Sequence, residues 1–268
     1  MTSFYPLEEA AVRIGGDRVT VTDLTPPGVE PHDLELTTDD LAALAQADLV
    51  LYVGGGFQPA VEDAIGAVPG ESVDVLAAVG SAGYPLLDDP DGHLAADPHV
   101  WLDPAGQAAL AGVVRDALVA DDPAGEEVFT QGLRAYAGQL SLLEDAYRVL
   151  DTCRQELLVT GHEAFGYLAR AHGLEQVGVA GVAPEAEPGA RRLAEVAQLV
   201  DERGVTTVYA EELLPPDVVE TIAAETGARV DTLATIESLG EEQRAAGEDY
   251  GSLMRRNLAA LVRGQACG

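Results

Sequence analysis

The stretch "GEEVFTQGLRAYAGQLSLLEDAYRVLDT", residues 125–152, places apolar side chains at spacings of three and four along its whole length. A helix of that length is about twice the usual one in a globular domain. What flanks it has a different rhythm. Before it, the β-branched runs "RVTVTDL" (18–24), "DLVLYVG" (48–54) and "SVDVLAAV" (72–79) read as strands. They alternate with helical patterns in "TTDDLAALAQA" (37–47), capped by Thr37 or Thr38, and "PAVEDAIGAV" (59–68). After it, "ELLVTG" (156–161), "EQVGVAG" (175–181), "VTTVYAE" (205–211) and "ARVDTLAT" (228–235) read as strands. The helices between and after them are "EAFGYLARAHG", "ARRLAEVAQLVDERG", "PDVVETIAAETG" and "YGSLMRRNLAALVRG". Alternation of this kind predicts an α/β fold with mainly parallel sheets flanked by helices. Residues 104–120 are also helical and lead into the long stretch with no strand between. The expectation is a lobe over 1–122, a long connecting helix over 123–152 and a second lobe over 153–268. Residues 80–98 and 181–190, rich in Gly, Pro and acidic side chains, read as surface loops.

A chain of 268 residues with 47% hydrophobic content can bury a sizeable core. No run approaches the ~18 apolar residues of a membrane span, and "MTSFYPLEEA" has no basic segment followed by an apolar one, so the expectation is a soluble chain without an export signal of its own. Acidic residues outnumber basic ones 46 to 15, for a net charge of −31, and all the basic residues are Arg. Such a field disfavours nucleic acid and anionic membrane surfaces and concentrates cations. A GC-rich genome or adaptation to salt accounts for the same charge, so it does not by itself identify a cation-binding protein. Cys153 and Cys267 lack the CxxC spacing of a zinc pair and are compatible with one disulfide or with two free thiols.

Open α/β sheets bind ligands beyond the carboxyl ends of their strands. His32 in "TPPGVEPHDLEL" follows the first strand run, and His99 in "DPHVWLDP" follows the third and its loop. His162 directly follows "ELLVTG", and Glu237 follows "ARVDTLAT". Two fall in each expected lobe, so an interlobe cleft would gather three imidazoles and a carboxylate. That set suits tetrahedral zinc; magnesium and calcium would want mainly oxygen. Manganese or iron could enter the same site, but nitrogen-rich ligands favour zinc over both. Taken singly, His32 is an ordinary loop residue, His162 a possible helix cap and Glu237 one acid among many. Their joint placement at strand ends sets them apart. His93 and His172 are read as solvated. "HEAFG" at 162–166 has Gly where a zinc protease needs its second histidine, and "YVGGGFQP" at 52–59 reads as a structural turn. The chain has no G-x-S-x-G, and with no Lys it cannot form a P-loop.

At these residues the chain resembles the metal-specific substrate-binding proteins of bacterial ABC importers, the ZnuA/TroA-like group. "SFYPLEEAAVRIGGDRV" is similar to the family's mature N-terminus. "GVEPHDLELTTDDLAALAQADLVLYVGGGFQPAVEDA", "DPHVWLDP" and "VTGHEAFGYLARAHGL" are similar to its three ligand segments, and "DYGSLMRRNLAALVRG" to its closing helix. The resemblance implies two α/β lobes on a long backbone helix, with one metal ion in the cleft. It places His32, His99 and His162 as ligands. Glu237 stands at a fourth place that is Asp in many relatives, so either Glu237 or water completes the sphere. Manganese-using members often carry Glu at the third place, so His162 points to zinc. Asp97, Asp103 and Glu211 are candidates to orient the imidazoles.

Residues 80–98 hold only His93 where many zinc importers have a His-rich loop. The family's export signal and lipid-anchoring cysteine are not in this chain. The resemblance therefore implies an extracytoplasmic protein, in the periplasm or on the outer face of the membrane, lipid-anchored through its precursor. That compartment is oxidising and favours a Cys153–Cys267 disulfide. The expected function is not enzymatic: a monomer captures Zn(II) and passes it to the permease of an ABC importer. The rival readings are a manganese or iron carrier of the same family, a zinc-dependent hydrolase with an open position for water, and an adhesin. Because imidazole must be neutral to bind metal, affinity is expected to fall as pH drops through about 6.5.

Overall fold

The computed structural model of the chain describes residues 1–66, 68–183 and 189–268. Its first element, α1 (Tyr5–Gly15), is one that the strand-and-helix pattern did not announce. Pro6 sits in its first turn, and Tyr5, Leu7, Ala10, Ala11 and Ile14 give it a buried face. Helix α2 (Thr38–Leu44) starts in a capping box between Thr37 and Asp40. Strand β1 (Leu49–Tyr52), helix α3 (Pro59–Ile65), strand β2 (Glu71–Asp74), helix α4 (Val75–Ser81) and helix α5 (Pro104–Asp121) complete the first half. β1 and β2 pair in parallel, and Thr2 bridges Leu51 on one side and Asp23 on the other.

Two strand expectations are corrected here. "RVTVTDL" contributes only the Asp23 bridge, although Val19 and Val21 still turn toward the main core. "SVDVLAAV" is a strand only to Asp74, because the Asp74 carboxylate accepts the Ala77 N–H and starts α4 at Val75.

The second half holds β3 (Leu157–Thr160), α7 (Gly166–Ala171), β4 (Glu175–Gly178), α8 (Ala190–Arg203), β5 (Thr207–Glu211) and α9 (Asp217–Thr226). It closes with β6 (Arg229–Leu233), the short α10 (Glu241–Ala246) and α11 (Tyr250–Gly264). The sheet is parallel throughout in the order β4-β3-β5-β6, with every predicted strand of this half present. Residues 184–188 of the second expected loop lie outside the described residues.

The long stretch is one helical run: a 3-10 turn at Pro123–Gly125, helix α6 (Glu126–Tyr147), and a further 3-10 turn at Arg148–Thr152. Its buried residues Phe129, Tyr136, Leu140, Leu143 and Tyr147 are the apolar stripe seen in the sequence. α6 packs on α5 and α1, and at Gly132 the helices come so close that a β-carbon would lie 2.4 Å from the Ile14 carbonyl oxygen. The apolar core does not stop between the halves. Phe4, Ile14 and Trp101 from the first, Tyr136 and Leu140 of α6, and Tyr209, Ile236, Tyr250 and Leu261 from the second form one cluster. Among the described residues, no helix is long and apolar enough to cross a membrane.

Cys153 and Cys267 form a disulfide that ties the end of the long helical run to the chain's end across 114 residues. Beside it the Gln265 amide donates to the carbonyls of Gln155 and Leu157. Closing so long a loop removes much unfolded-state entropy. The double variant Cys153→Ser, Cys267→Ser is expected to lose about 2–5 kcal/mol of stability in urea denaturation.

Candidate metal site

Each half of the chain delivers two side chains to one point. His32 rides on a 3-10 turn, Pro31–Asp33, and its own N–H is capped by the Glu30 carboxylate. The Gln58 amide pins that turn by donating to the Pro31 carbonyl at 3.3 Å and the Ser3 carbonyl at 3.2 Å. The His32 ring stands edge-on to Phe57 at 4.6 Å between centroids. Among the described residues, neither of its buried ring nitrogens has a hydrogen-bond partner.

His99 precedes the 3-10 turn Val100–Leu102. One Asp97 oxygen accepts both its backbone N–H and its Nδ1–H, each at 2.9 Å, which turns Nε2 inward. His162, at the carboxyl end of β3, is held in the same way by Glu211 at the end of β5. The backbone N–H donates at 3.1 Å and Nδ1–H at 2.7 Å. Glu237 takes the Thr235 hydroxyl on Oε2 at 2.7 Å, while its buried Oε1 faces His99 Nε2 at 3.4 Å.

The carboxylate is reached through strain. Ile236, a buried β-branched residue, has φ +58, a left-handed conformation costing about 1–3 kcal/mol. Its neighbours are fixed from both sides. The Trp101 indole N–H donates to the Thr235 carbonyl at 2.8 Å. The Asn257 amide bonds both the N–H and the carbonyl of Ala234, at 2.8 and 2.7 Å.

One ligand atom from each of His32, His99, His162 and Glu237 lies within 4.8 Å of all the others, and all four residues are buried. His162 Nε2 is 3.4 Å from His99 Nε2; Glu237 Oε1 is 3.4 Å from His99 Nε2 and 3.9 Å from His32 Nε2. A tetrahedral zinc with bonds of about 2.0–2.2 Å needs ligand atoms about 3.3–3.6 Å apart. The side chains are 0–1% exposed, a dry pocket that magnifies every charge.

Burial pushes the His32 imidazole down to about 3, a neutral acceptor at any ordinary pH. Burial also acts to lower His99, but hydrogen bonds and charge from Asp97 and Glu237 outweigh it and raise His99 to about 9. Burial opposes ionisation of Glu237, yet the hydrogen bond from His99 and the three nearby imidazoles hold its carboxyl down at about 2.

All four residues singled out in the sequence are brought together. Of the orienting candidates, Asp97 and Glu211 take up the imidazoles. Asp103 instead caps α5 through the Ala105 N–H and accepts the Tyr84 hydroxyl at 2.8 Å. His93 is exposed, whereas His172 is not freely solvated: its largely covered imidazole bonds Asp151 at 2.8 Å. Phe57, Gln58, Thr235 and Ile236 went unremarked in the sequence. "GGGFQP" has the composition of a turn, and nothing local in it signals that Phe57 and Gln58 brace His32.

A two-lobed α/β chain whose halves bring three buried imidazoles and one carboxylate to one point has a side-chain cluster that could hold a metal ion. The family model described as "ZnuA: Zinc-uptake complex component A periplasmic" matches residues 1–264, and the chain belongs to that family. The "Zinc-binding lipoprotein AdcA" of Streptococcus pneumoniae is 35% identical over 97% of this chain and 54% of its own length. The chain therefore spans about half the length of the AdcA proteins it matches. The "High-affinity zinc uptake system protein ZnuA" of Bacillus subtilis is 34% identical over 97% of this chain and 85% of its own. The solved Zn(II)-bound ZnuA-like domain of Streptococcus pneumoniae AdcA superposes with a TM-score of 0.83 at 35% identity, covering 98% of this chain and 97% of that one.

Two predictions follow from the geometry. Glu211→Gln removes the carboxylate that orients His162 and is expected to weaken zinc binding about 10–100-fold in chelator competition. The second concerns protons. His99 is protonated in the metal-free protein up to about pH 9, and metal needs its Nε2 bare. Zinc binding at pH 7 is therefore expected to release about one proton and to tighten as pH rises toward 9, read by calorimetry in buffers of different ionisation enthalpy. The sign for stability is the reverse. The raised value means that the proton on His99 stabilises the metal-free fold below the ordinary histidine range, and this is lost as pH passes about 9.

Proposed function

We propose that this protein captures Zn(II) outside the cytoplasm and delivers it to the permease of an ABC-type importer. In this reading His32, His99, His162 and Glu237 are the four ligands, and 1–122, 123–152 and 153–268 act as lobe, connector and lobe. The observation that carries it is the convergence of four buried donor atoms from both halves of the chain within 4.8 Å of one another, with His99 Nε2 3.4 Å from both His162 Nε2 and Glu237 Oε1. Zinc is cargo here. Four protein ligands leave no open position for a water, and a site that cannot activate water has no hydrolytic step to perform. Three nitrogens to one oxygen favour zinc over manganese or iron(II).

The zinc in the names of AdcA and ZnuA supports the choice of ion, and their being called periplasmic or lipoprotein supports an extracytoplasmic setting with a lipid anchor on the precursor. Because the ligands are almost fully covered, release at the permease requires the halves to part around the site.

Crystals soaked with zinc at neutral pH and measured on both sides of the zinc edge are expected to show one anomalous peak within bonding distance of all four side chains. Competition at fixed free metal is expected to favour zinc over manganese, and His99→Ala to weaken zinc binding at least about 100-fold while the fold persists. A peak with a water in place of Glu237, or manganese binding as tightly as zinc, would overturn the ligand set or the choice of ion respectively.

A further inference from the structure

In three of the four side chains of the proposed ligand set, the fold ties one of two polar atoms. Asp97 takes His99 Nδ1 and Glu211 takes His162 Nδ1, which leaves Nε2 of each for the ion. On Glu237 the tied atom is Oε2, which accepts the Thr235 hydroxyl at 2.7 Å. The other oxygen, Oε1, is the one that faces the imidazoles, 3.4 Å from His99 Nε2 and 3.9 Å from His32 Nε2. Among the described residues no other group hydrogen-bonds Oε2. The adjacent Ser238 hydroxyl is turned to the first half, where it accepts the Gly28 N–H at 2.8 Å and donates to the Pro26 carbonyl at 3.2 Å.

The Thr235 hydroxyl is held where it is. Thr235 and Glu237 are both buried, so a hydroxyl meets a carboxylate out of water, one of the stronger kinds of hydrogen bond. The Thr235 carbonyl is fixed by the Trp101 indole, and the residue before it is fixed on both its backbone groups by Asn257. A β-branched side chain on a backbone so tied has few rotamers to move to.

Resting on the zinc reading and the ligand set given above, we propose that Thr235 is a specificity-determining residue: its hydroxyl confines Glu237 to one donor oxygen, which holds the site at four donors and sets zinc above manganese. Zinc closed in by protein ligands is four-coordinate and tetrahedral, and one carboxylate oxygen with three imidazole nitrogens meets that number. Manganese favours about six donors, mainly oxygen. A bidentate Glu237 would add a fifth donor, and because that atom is an oxygen it would help manganese more than zinc. Without the hydroxyl, Oε2 would be a buried acceptor lacking a partner, and turning it to the ion would satisfy it.

The test measures zinc and manganese affinities at fixed free metal in the unmodified chain, in Thr235→Val and Thr235→Ala, which lack the hydroxyl, and in Thr235→Ser, which keeps it. The first two variants are expected to shift the zinc-to-manganese affinity ratio about tenfold or more toward manganese, while Thr235→Ser keeps the original ratio. Manganese-soaked Thr235→Val crystals are expected to show both Glu237 oxygens bonded to the ion, where zinc in the unmodified chain bonds one. A ratio unchanged without the hydroxyl, as when both metals weaken alike, overturns the proposal, and so does zinc bonded to both oxygens in the unmodified chain. Glu237→Ala separates this from failure of the ligand set. If zinc affinity survives that change intact, Glu237 is no ligand and both readings fall; if it drops while the Thr235→Val ratio stays put, the role of Thr235 alone is refuted.

Discussion

Four donor atoms from distant parts of the chain have to meet inside a space that excludes water. This requirement governs much of the surrounding structure. A buried polar atom with no partner costs about 1–3 kcal/mol, and among the described residues neither ring nitrogen of His32 has one. Such atoms stay in place only if the backbone carrying them cannot relax. The surroundings supply that rigidity. Asp97 and Glu211 each hold one histidine by two hydrogen bonds, Gln58 fixes the turn bearing His32, and Trp101 and Asn257 hold the segment before Glu237. The left-handed Ile236 is where the demand on the backbone is greatest, and strain of this kind persists only where the neighbouring structure leaves no alternative.

The same contacts make the two halves one body around the site. Trp101 belongs to the first half and its hydrogen bond ends on Thr235 in the second; Tyr250 returns a hydroxyl to the Trp101 carbonyl at 2.6 Å; Tyr5 donates its N–H to the carbonyl of Glu237 at 3.3 Å. Beneath them the apolar core runs without a break from α1 through α6 to α11. A free hinge between lobes would need a polar, weakly packed boundary. Parting the halves here instead exposes apolar surface and unpairs buried hydrogen bonds, so motion that opens the proposed site is expensive and small in extent unless another molecule compensates it.

How much of this could be read in the sequence depended on whether the signal was local. The second-half strands are β-branched runs ended by turns, and all appear where the pattern put them. The long helix was legible because one stripe of apolar residues persists from Phe129 to Tyr147. The first half misled where local pattern and pairing part company. "RVTVTDL" has the right alternation for a strand but lacks a neighbour along most of its length, and "SVDVLAAV" changes from strand to helix at an aspartate whose capping role depends on three-dimensional placement. In the site, the ligand types and their position after strands were visible. Asp103 and Asp97 look alike in "DPHVWLDP", and only the fold decides that one caps a helix while the other holds an imidazole.

The ion's charge, finally, explains why a carboxylate rather than a fourth imidazole suits the last position. Without metal, the pocket already favours one positive charge: His99 keeps its proton because Asp97 stands on one side and Glu237 on the other. A fourth neutral imidazole would leave that proton with one acid partner and a divalent ion with no anionic ligand in a medium where charge is poorly screened. In the proposed ligand set Glu237 serves both states, as the proton's partner in one and a ligand in the other. Metal and proton therefore compete for the same lone pair on His99 while Glu237 stays ionised throughout. The affinity of such a site is a difference between two occupied states rather than the filling of an inert hole.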